Sequence, residues 1–201
     1  MARYVLAILA AAVLCTAVLA QDVTPAHKGG HDDSETKYSV YDSNSQRYRP
    51  VKCGKNLCLY RIHVKLHVDF YKRSQPTPAT FATTVGVYTG TVLDYATNAT
   101  AGTFEVAGIA TNQPAGPTDN LNVQETHVFE FGPERDDALT ATGNSQVSPV
   151  TGEFADYDTA VTGGTGQFLG AYGSLVNAPS TVRGSDLTEA TLTVYVPSNK
   201  L

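Results

Sequence analysis

The chain has 201 residues, 42% of them hydrophobic, so it is long enough to bury one core and is most simply a single domain. Its formal net charge is −5 and no basic run is long enough to follow a phosphate backbone, which excludes nucleic acid as a partner. Tryptophan is absent, and short segments rich in threonine, valine, tyrosine and glycine alternate with turns. This composition predicts an all-β fold.

Residues 1–20 have the composition of a secretory signal peptide. Arg3 supplies the positive start, an apolar run follows, and small residues end at Ala20. A membrane anchor is the alternative, but an anchor needs about 20 consecutive apolar residues, and Thr16 interrupts the run. The sequence therefore predicts a secreted, extracellular protein whose mature form has no membrane partner.

Residues 21–37 predict a disordered arm that precedes a folded domain at 38–201. The arm contains almost nothing to bury. Its His27 and His31 suggest either weak metal binding or a solvated tail, and the solvated tail is preferred because no ordered backbone positions the two imidazoles. No metal ion is predicted.

Two cysteines remain once Cys15 leaves with the signal peptide. In an exported chain an even pair such as Cys53 and Cys58 predicts a disulfide, which would pin the start of the following strand. Zinc is the alternative, but it needs two further ligands at suitable spacing, and these are missing.

Residues 57–71 form the clearest predicted strand, because apolar and polar side chains alternate strictly. The apolar row is Tyr60, Ile62, Val64, Leu66, Val68 and Phe70. The pattern alone does not show which row faces the interior of a barrel. His63, His67 and Asp69 share the polar row, either as a proton-transfer set or as a solvent-facing stripe, and the stripe is preferred.

The remaining segments predict further strands with turns between them, and none shows a helical period. They lie at 81–95, 103–109, 123–131, 139–143, 154–161 and 189–196. Asn98-Ala99-Thr100 falls on a predicted loop and is an acceptor sequence for N-glycosylation in a secreted chain.

Residues 162–173 contain five glycines in twelve positions, and glycine is costly in backbone entropy. The segment therefore predicts a tight, close-packed loop between two strands. A phosphate-binding loop is excluded, because no Gly-Lys-Ser/Thr follows and no helical pattern opens behind it.

This glycine motif carries a family resemblance. Gly163-Gly164-Thr165-Gly166, then Phe168, then Ala171-Tyr172-Gly173 resembles the signature shared by plant dirigent proteins and allene oxide cyclases. The final triplet has the cyclase form, whereas dirigent proteins typically carry Ala-Arg-Gly. The resemblance extends over roughly 39–196 and implies an eight-stranded antiparallel β-barrel that forms a homotrimer and binds a small hydrophobic ligand without a cofactor. Short segments at regular spacing favour the same fold.

The resemblance also implies catalytic residues. Allene oxide cyclases carry Ser-Val-Tyr, then Glu, one residue, Asn, and Ser-Pro a few residues later; here Asp42 stands at the Glu and Arg49 at the Ser. The barrel-lining Cys of the cyclases corresponds to Val92. The implied catalytic residues are Asp42, Asn44, Pro50 and Tyr172. From the residues alone, Asp42 and Asn44 are also ordinary turn formers.

Ligand-binding residues follow from the same comparison. The segment Phe129-Glu130-Phe131-Gly132 is similar to the Phe-Tyr-Phe-Gly of the cyclases, Phe168 lies in the glycine motif, and Asp69 is a loose match to a dirigent Asp. The implied ligand-binding residues are Asp69, Phe129, Phe131 and Phe168.

Three functions are consistent with this sequence. The first is dirigent-type control of the stereochemistry of radical or quinone methide coupling. The second is cyclisation of an unsaturated epoxide, in which desolvation raises the pKa of Asp42 and its carboxylate polarises the substrate. The third is a secreted protein that binds a lipid, phenolic or sugar without chemistry. Whether the protein is an enzyme is left open by the sequence.

Overall fold

A computed structural model of the protein describes residues 37–74, 85–112, 119–147, 157–178 and 187–198. The predicted signal peptide and residues 21–36 of the predicted arm, with His27 and His31, lie outside the described residues. No helix in these ranges reaches the length and apolar character of a membrane span.

The described residues are almost entirely β-strand, as the composition predicted. A hairpin and a short strand come first, and eight longer strands follow. In chain order the strands are β1 (Val40–Asp42), β2 (Arg47–Arg49), β3 (Lys52–Cys53), β4 (Leu57–Arg73), β5 (Val85–Asp94), β6 (Thr100–Ala110), β7 (Leu121–Phe131), β8 (Asp137–Val147), β9 (Tyr157–Gly164), β10 (Tyr172–Ala178) and β11 (Leu187–Pro197). A 3₁₀ turn, Gly166–Phe168, precedes β10.

Strands β4 to β11 form a closed antiparallel barrel. Each strand pairs with the next in sequence, and β11 pairs back onto β4 from Leu187 opposite His67 to Pro197 opposite Leu57. Closure satisfies the backbone groups that an open sheet leaves unpaired at its edges. The predicted eight-stranded antiparallel barrel is confirmed.

The apolar row of β4 faces the interior, which answers the question that the alternation left open. Tyr60, Ile62, Val64 and Leu66 are buried, and β11 contributes a matching row that includes Leu192. The prediction that Phe70 continues this inward-facing row is wrong. A bulge between Val68 and Phe70 shifts the register against β5, and Phe70 is 53% exposed.

One end of the barrel, which we call the hairpin end, carries the β1–β2 hairpin and the turns that follow β5, β7 and β9. Its interior is filled by rings: the Tyr48 and Phe131 centroids lie 5.5 Å apart, those of Tyr60 and Phe168 lie 5.3 Å apart, and those of Phe131 and Phe168 lie 5.7 Å apart, all at steep angles. Edge-to-face packing of this kind adds to the apolar burial of each ring. We call Tyr41, Tyr48, Tyr60, Phe129, Phe131 and Phe168 the aromatic cluster.

The glycine motif closes the hairpin end around one buried carboxylate, that of Asp137. The backbone N–H of Gln167 donates to Asp137 Oδ1 over 2.7 Å, and Arg47 Nε lies 3.1 Å from Oδ2. Gly166 has φ +55°, and a side chain there would collide with the same Oδ1. The motif is therefore a tight loop, as predicted, and its glycine allows the backbone to approach Asp137.

Substitution within the motif tests this role. Gly166→Ala should lower the free energy of unfolding by about 2–3 kcal/mol, because a left-handed non-glycine residue costs of order 1–3 kcal/mol and the collision adds to it. Gly163→Ala is the matched control, since a Cβ at Gly163 meets nothing within 4 Å; it should change stability by less than about 1 kcal/mol. Urea unfolding followed by circular dichroism measures both, and equal midpoints for the two variants would contradict the role of Gly166.

Candidate functional site

Asp42 lies at the turn of the β1–β2 hairpin. Its Oδ1 accepts hydrogen bonds from the backbone N–H of Asn44 at 3.0 Å and of Ser45 at 3.4 Å, and Arg49 donates to Oδ2 at 2.5 Å. These bonds, that from Arg49 foremost, lower the pKa of Asp42. The raised pKa expected for a desolvated catalytic carboxylate is therefore wrong, and the alternative of a turn-capping aspartate describes these contacts. Its catalytic role stays a prediction.

The other three residues implied as catalytic also lie at the hairpin end. Asn44 is exposed in the turn and Pro50 is half-buried just after β2. Tyr172 is 49% exposed on the outer face of β10, where its ring stacks on Tyr195 with centroids 5.5 Å apart. The side chain of Tyr172 thus lies outside the barrel, and the catalytic roles of all three stay predictions.

The residues implied as ligand-binding fall in two different places. Phe129, Phe131 and Phe168 are fully buried in the aromatic cluster. Asp69 is exposed on the outer face, where Thr91 donates its hydroxyl to Oδ2 over 2.8 Å and His67 Nε2 lies 3.6 Å from Oδ1. His67 and Asp69 therefore belong to the solvent-facing stripe that the sequence analysis preferred, whereas the His63 side chain on the same row is 18% exposed and packs between Tyr38 and Tyr95. Ligand binding by these four residues stays a prediction.

The predicted disulfide is confirmed. Cys53 is bonded to Cys58, which joins β3 to the first residues of β4. Among the described residues, no group of three or more His, Cys, Asp or Glu side chains is placed to hold a metal ion.

Glu125 and His127 form a buried acid–imidazole pair that the sequence analysis missed. They lie on the inward row of β7 and are 1% and 2% exposed. Glu125 Oε2 is 3.3 Å from His127 Nε2, and the Tyr88 hydroxyl on β5 donates to Glu125 Oε1 over 3.0 Å. The pair adjoins the aromatic cluster on the side away from the hairpin end, and the His127 ring lies parallel to that of Phe129 with centroids 6.4 Å apart.

Two buried hydroxyl groups extend this region toward the strand ends opposite the hairpin end. Ser145 on β8 and Thr159 on β9 are both buried. The Thr159 hydroxyl donates to the carbonyl of Leu175 over 3.5 Å, whereas Ser145 Oγ has no hydrogen-bond partner among the described residues. We call Tyr88, Glu125, His127, Ser145 and Thr159 the polar cluster.

Glycines flank Glu125 on both neighbouring strands. It pairs laterally with Gly108 on β6 and with Gly143 on β8. A Cβ at Gly108 would lie 3.2 Å from the Glu125 Cγ, and a Cβ at Gly143 would press on the side chain of Thr159. Gly108 thus leaves lateral space for the long acidic side chain of Glu125, and Gly143 leaves space for Thr159.

Burial of this pair is costly, because taking a charged group out of water costs several kcal/mol even when a partner repays part of it. Nearby inward positions are apolar, with Val106 opposite His127 on β6 and Ala141 opposite it on β8. Titratable pairs in an apolar interior are candidates for binding or proton transfer. The polar cluster is therefore the candidate functional site.

A signal for this site was present in the sequence. The period of two places Glu125 and His127 on the same row as Phe129 and Phe131, so an acid and an imidazole stand where apolar side chains are expected. Only the two phenylalanines of this row were predicted as site residues.

The hydrogen bonds to Asp42 predict a low titration midpoint for its carboxyl group. A carboxylate with a lowered pKa stabilises the fold above its unfolded pKa, and this contribution is lost as the pH falls through the folded pKa. Carbon-detected NMR titration should place the Asp42 midpoint below that of an ordinary aspartate, and Arg49→Gln should raise it. Arg61→Gln, on the outer face of β4, is the control and should leave the midpoint unchanged; the same midpoint in Arg49→Gln and wild type would contradict the assignment.

The chain is similar in fold to known proteins. No protein-family model and no curated protein sequence matches the chain. Among solved structures, a pterocarpan synthase dirigent protein superposes with a TM-score of 0.53 at 13% identity, over 72% of this chain and 88% of its own. A pyocyanin demethylase superposes with a TM-score of 0.50 at 15% identity, over 67% of this chain and 98% of its own. At these identities the likeness concerns the fold alone, and the chain has the dirigent-type β-barrel fold that its glycine motif implied.

Proposed function

We propose that this protein is a secreted barrel that binds a small hydrophobic ligand in its interior and controls the stereochemistry of the ligand's cyclisation or coupling. The observation that carries the proposal is the buried Glu125–His127 pair in a predominantly apolar interior. Ligand sites are typically apolar and have a few polar groups that fix orientation. The pair supplies such groups, and the surrounding apolar row favours a hydrophobic remainder of the ligand.

The position of the pair favours one orientation of the ligand. The hairpin end is filled by the aromatic cluster, so a ligand inside the barrel occupies the region of the polar cluster. A hydroxyl or carbonyl group of the ligand meets Glu125 and His127, while its hydrocarbon part packs against residues such as Leu66 and Val106. Holding one group in place restricts the face on which a new bond forms.

The pair also supports a proton-transfer step. His127 accepts the proton of a ligand hydroxyl while that oxygen attacks an electron-poor, unsaturated carbon of the same molecule. A ring C–O bond forms, the π electrons move onto the conjugated carbonyl group, and the imidazolium returns the proton there. The product is an isomer of the substrate, so no oxidant is consumed. Glu125, which the Tyr88 hydroxyl orients, stabilises the transient imidazolium.

A second candidate function is a secreted binding protein without chemistry. Two observations favour it: Arg49 replaces the cyclase Ser and pairs with Asp42, and Val92 replaces the barrel-lining Cys. Secretion is proposed from the signal peptide pattern and is compatible with the Cys53–Cys58 disulfide. A homotrimer is proposed from the family resemblance.

Matched probes test the binding site. The aromatic alcohol 2-naphthol and its methyl analogue 2-methylnaphthalene have similar size, but only the first carries a hydroxyl group. Glu125→Gln should weaken 2-naphthol binding about tenfold, the effect of losing one hydrogen bond to a charged group, and leave 2-methylnaphthalene binding unchanged. Ligand fluorescence measures both affinities.

The control for this experiment is Glu130→Gln, on the same strand. Glu130 is partly exposed and accepts the Thr103 hydroxyl over 3.3 Å, so its substitution should affect neither probe. Equal losses for both probes in Glu125→Gln, or no loss for either, would count against a binding role for the interior pair.

A product assay separates the two candidate functions. The protein is incubated with an allene oxide generator and, separately, with an oxidised monolignol, and product chirality is compared among wild type, Glu125→Gln, His127→Gln and Asp42→Asn. The interior pair predicts an enantiomeric excess that disappears in the first two variants and persists in Asp42→Asn. The reverse pattern would assign the chemistry to Asp42. Racemic product from wild type in both assays would favour the binding protein.

A further inference from the structure

The turn between β5 and β6 is held by a compact set of hydrogen bonds. The Asp94 backbone N–H donates to the carbonyl of Ala99, and that of Asn98 donates to the carbonyl of Asp94, both over 2.9 Å. Asp94 Oδ1 also accepts the backbone N–H and hydroxyl of Thr97, over 2.9 and 2.7 Å. These bonds hold Asn98 in the left-handed region at φ +56°.

This turn presents the acceptor asparagine to solvent. Asn98 is exposed, and Thr100 at the start of β6 supplies the hydroxyl that the acceptor sequence requires. Lys65 on β4 donates its ammonium to Asn98 Oδ1 over 2.7 Å. The nitrogen Nδ2, to which a glycan would be joined, belongs to the same exposed amide.

An aromatic ring lies beside this amide. Tyr95, three residues before Asn98, is 38% exposed, and its ring stacks on His63 with centroids 3.8 Å apart, which fixes its orientation. The Lys65 ammonium that binds Asn98 also lies over the Tyr95 ring, 4.7 Å from its centroid. One group therefore reaches both the amide and the ring, so a sugar attached to Asn98 is within reach of Tyr95.

We propose that Asn98 carries an N-linked glycan whose first sugar packs against the ring of Tyr95 and displaces the Lys65 ammonium into solvent. The C–H groups on one face of a sugar carry partial positive charge and suit the negative face of an aromatic ring. A flexible lysine gives up this position readily, because its ammonium is well solvated outside. The glycan would stabilise the β5–β6 turn, and its site is separate from the polar cluster.

The covalent step needs a lipid-linked oligosaccharide diphosphate, which the transferase of the secretory pathway uses as donor. A bond forms between Asn98 Nδ2 and the anomeric carbon of the first sugar, and the bond from that carbon to phosphate breaks. The amide loses one proton, and the lipid diphosphate leaves with the bonding electrons. No electron transfer is involved.

A thermodynamic cycle of four proteins tests the proposal. The full chain is directed into the secretory pathway of a eukaryotic host by a host signal peptide placed before it. Wild type, Thr100→Ala, Tyr95→Ala and the double variant are purified, and the glycosylated fractions of wild type and Tyr95→Ala are collected on a lectin column. Thr100→Ala removes the acceptor sequence, so the change in Tm that it causes includes the loss of the glycan. This change is measured once in the wild-type background and once in the Tyr95→Ala background. The difference between the two changes cancels any effect of the Thr100 side chain itself and leaves the contribution of the contact between glycan and Tyr95.

The expected results are a glycan mass at Asn98 in wild type and a loss of about 2–4 °C in Tm on Thr100→Ala, the shift typical of one modest interaction in a domain of this size. In the Tyr95→Ala background the same substitution should change Tm by less than about 1 °C. Tyr172→Ala, an exposed tyrosine on another strand, is the control background and should preserve the full loss. Absence of a glycan from Asn98 would overturn the proposal, and so would equal losses in the wild-type and Tyr95→Ala backgrounds.

Discussion

The pairing of β11 with β4 is the constraint on which the rest of the structure depends. It joins the two ends of the sheet along the full length of β11, and without it both strands would present unpaired backbone groups to solvent. Because the barrel is closed, side chains on alternate positions are separated into an interior and an exterior set. That separation gives a buried pair such as Glu125 and His127 a low-dielectric environment, and it keeps Asp69 in water although Asp69 lies on a strand of the same sheet.

Much of the fold was predictable because its signals are local. The alternation in residues 57–71 determines the long strand β4, and the spacing of Cys53 and Cys58 is compatible with a hairpin that a disulfide closes. The glycine motif predicted a tight loop, but not its partner: Asp137 is far from the motif in sequence and meets it only through the pairing of β8 with β9. The bulge at Val68 was also not predictable from the sequence, because it arises from the register of β4 against β5 and no residue type indicates it.

The candidate site was harder to predict than the fold. The sequence around an aspartate such as Asp42 does not distinguish a carboxylate that caps a turn from one that enters a cavity. Its partner Arg49 is brought close only by the register of the β1–β2 hairpin. Burial of Glu125 and His127 can be predicted only if the inward-facing row of β7 is known. The two phenylalanines that follow them identify this row, because rings of that size are rarely placed outward in alternation with polar residues. Tyr88, by contrast, reaches Glu125 from another strand, and no local sequence pattern predicts that contact.

The two ends of the barrel have different roles in this architecture. The disulfide, the Asp137 contacts and the aromatic cluster all lie at the hairpin end. Because neighbouring strands are antiparallel, β4, β6, β8 and β10 end at the opposite end of the barrel, and β5, β7, β9 and β11 begin there. Substitutions of inward-facing residues near those strand ends therefore leave the contacts of the hairpin end intact. Such a separation lets natural selection vary the interior at one end at small cost in stability, and it makes inward positions there, such as Ser145 and Thr159, the natural ones to randomise in a library built on this scaffold.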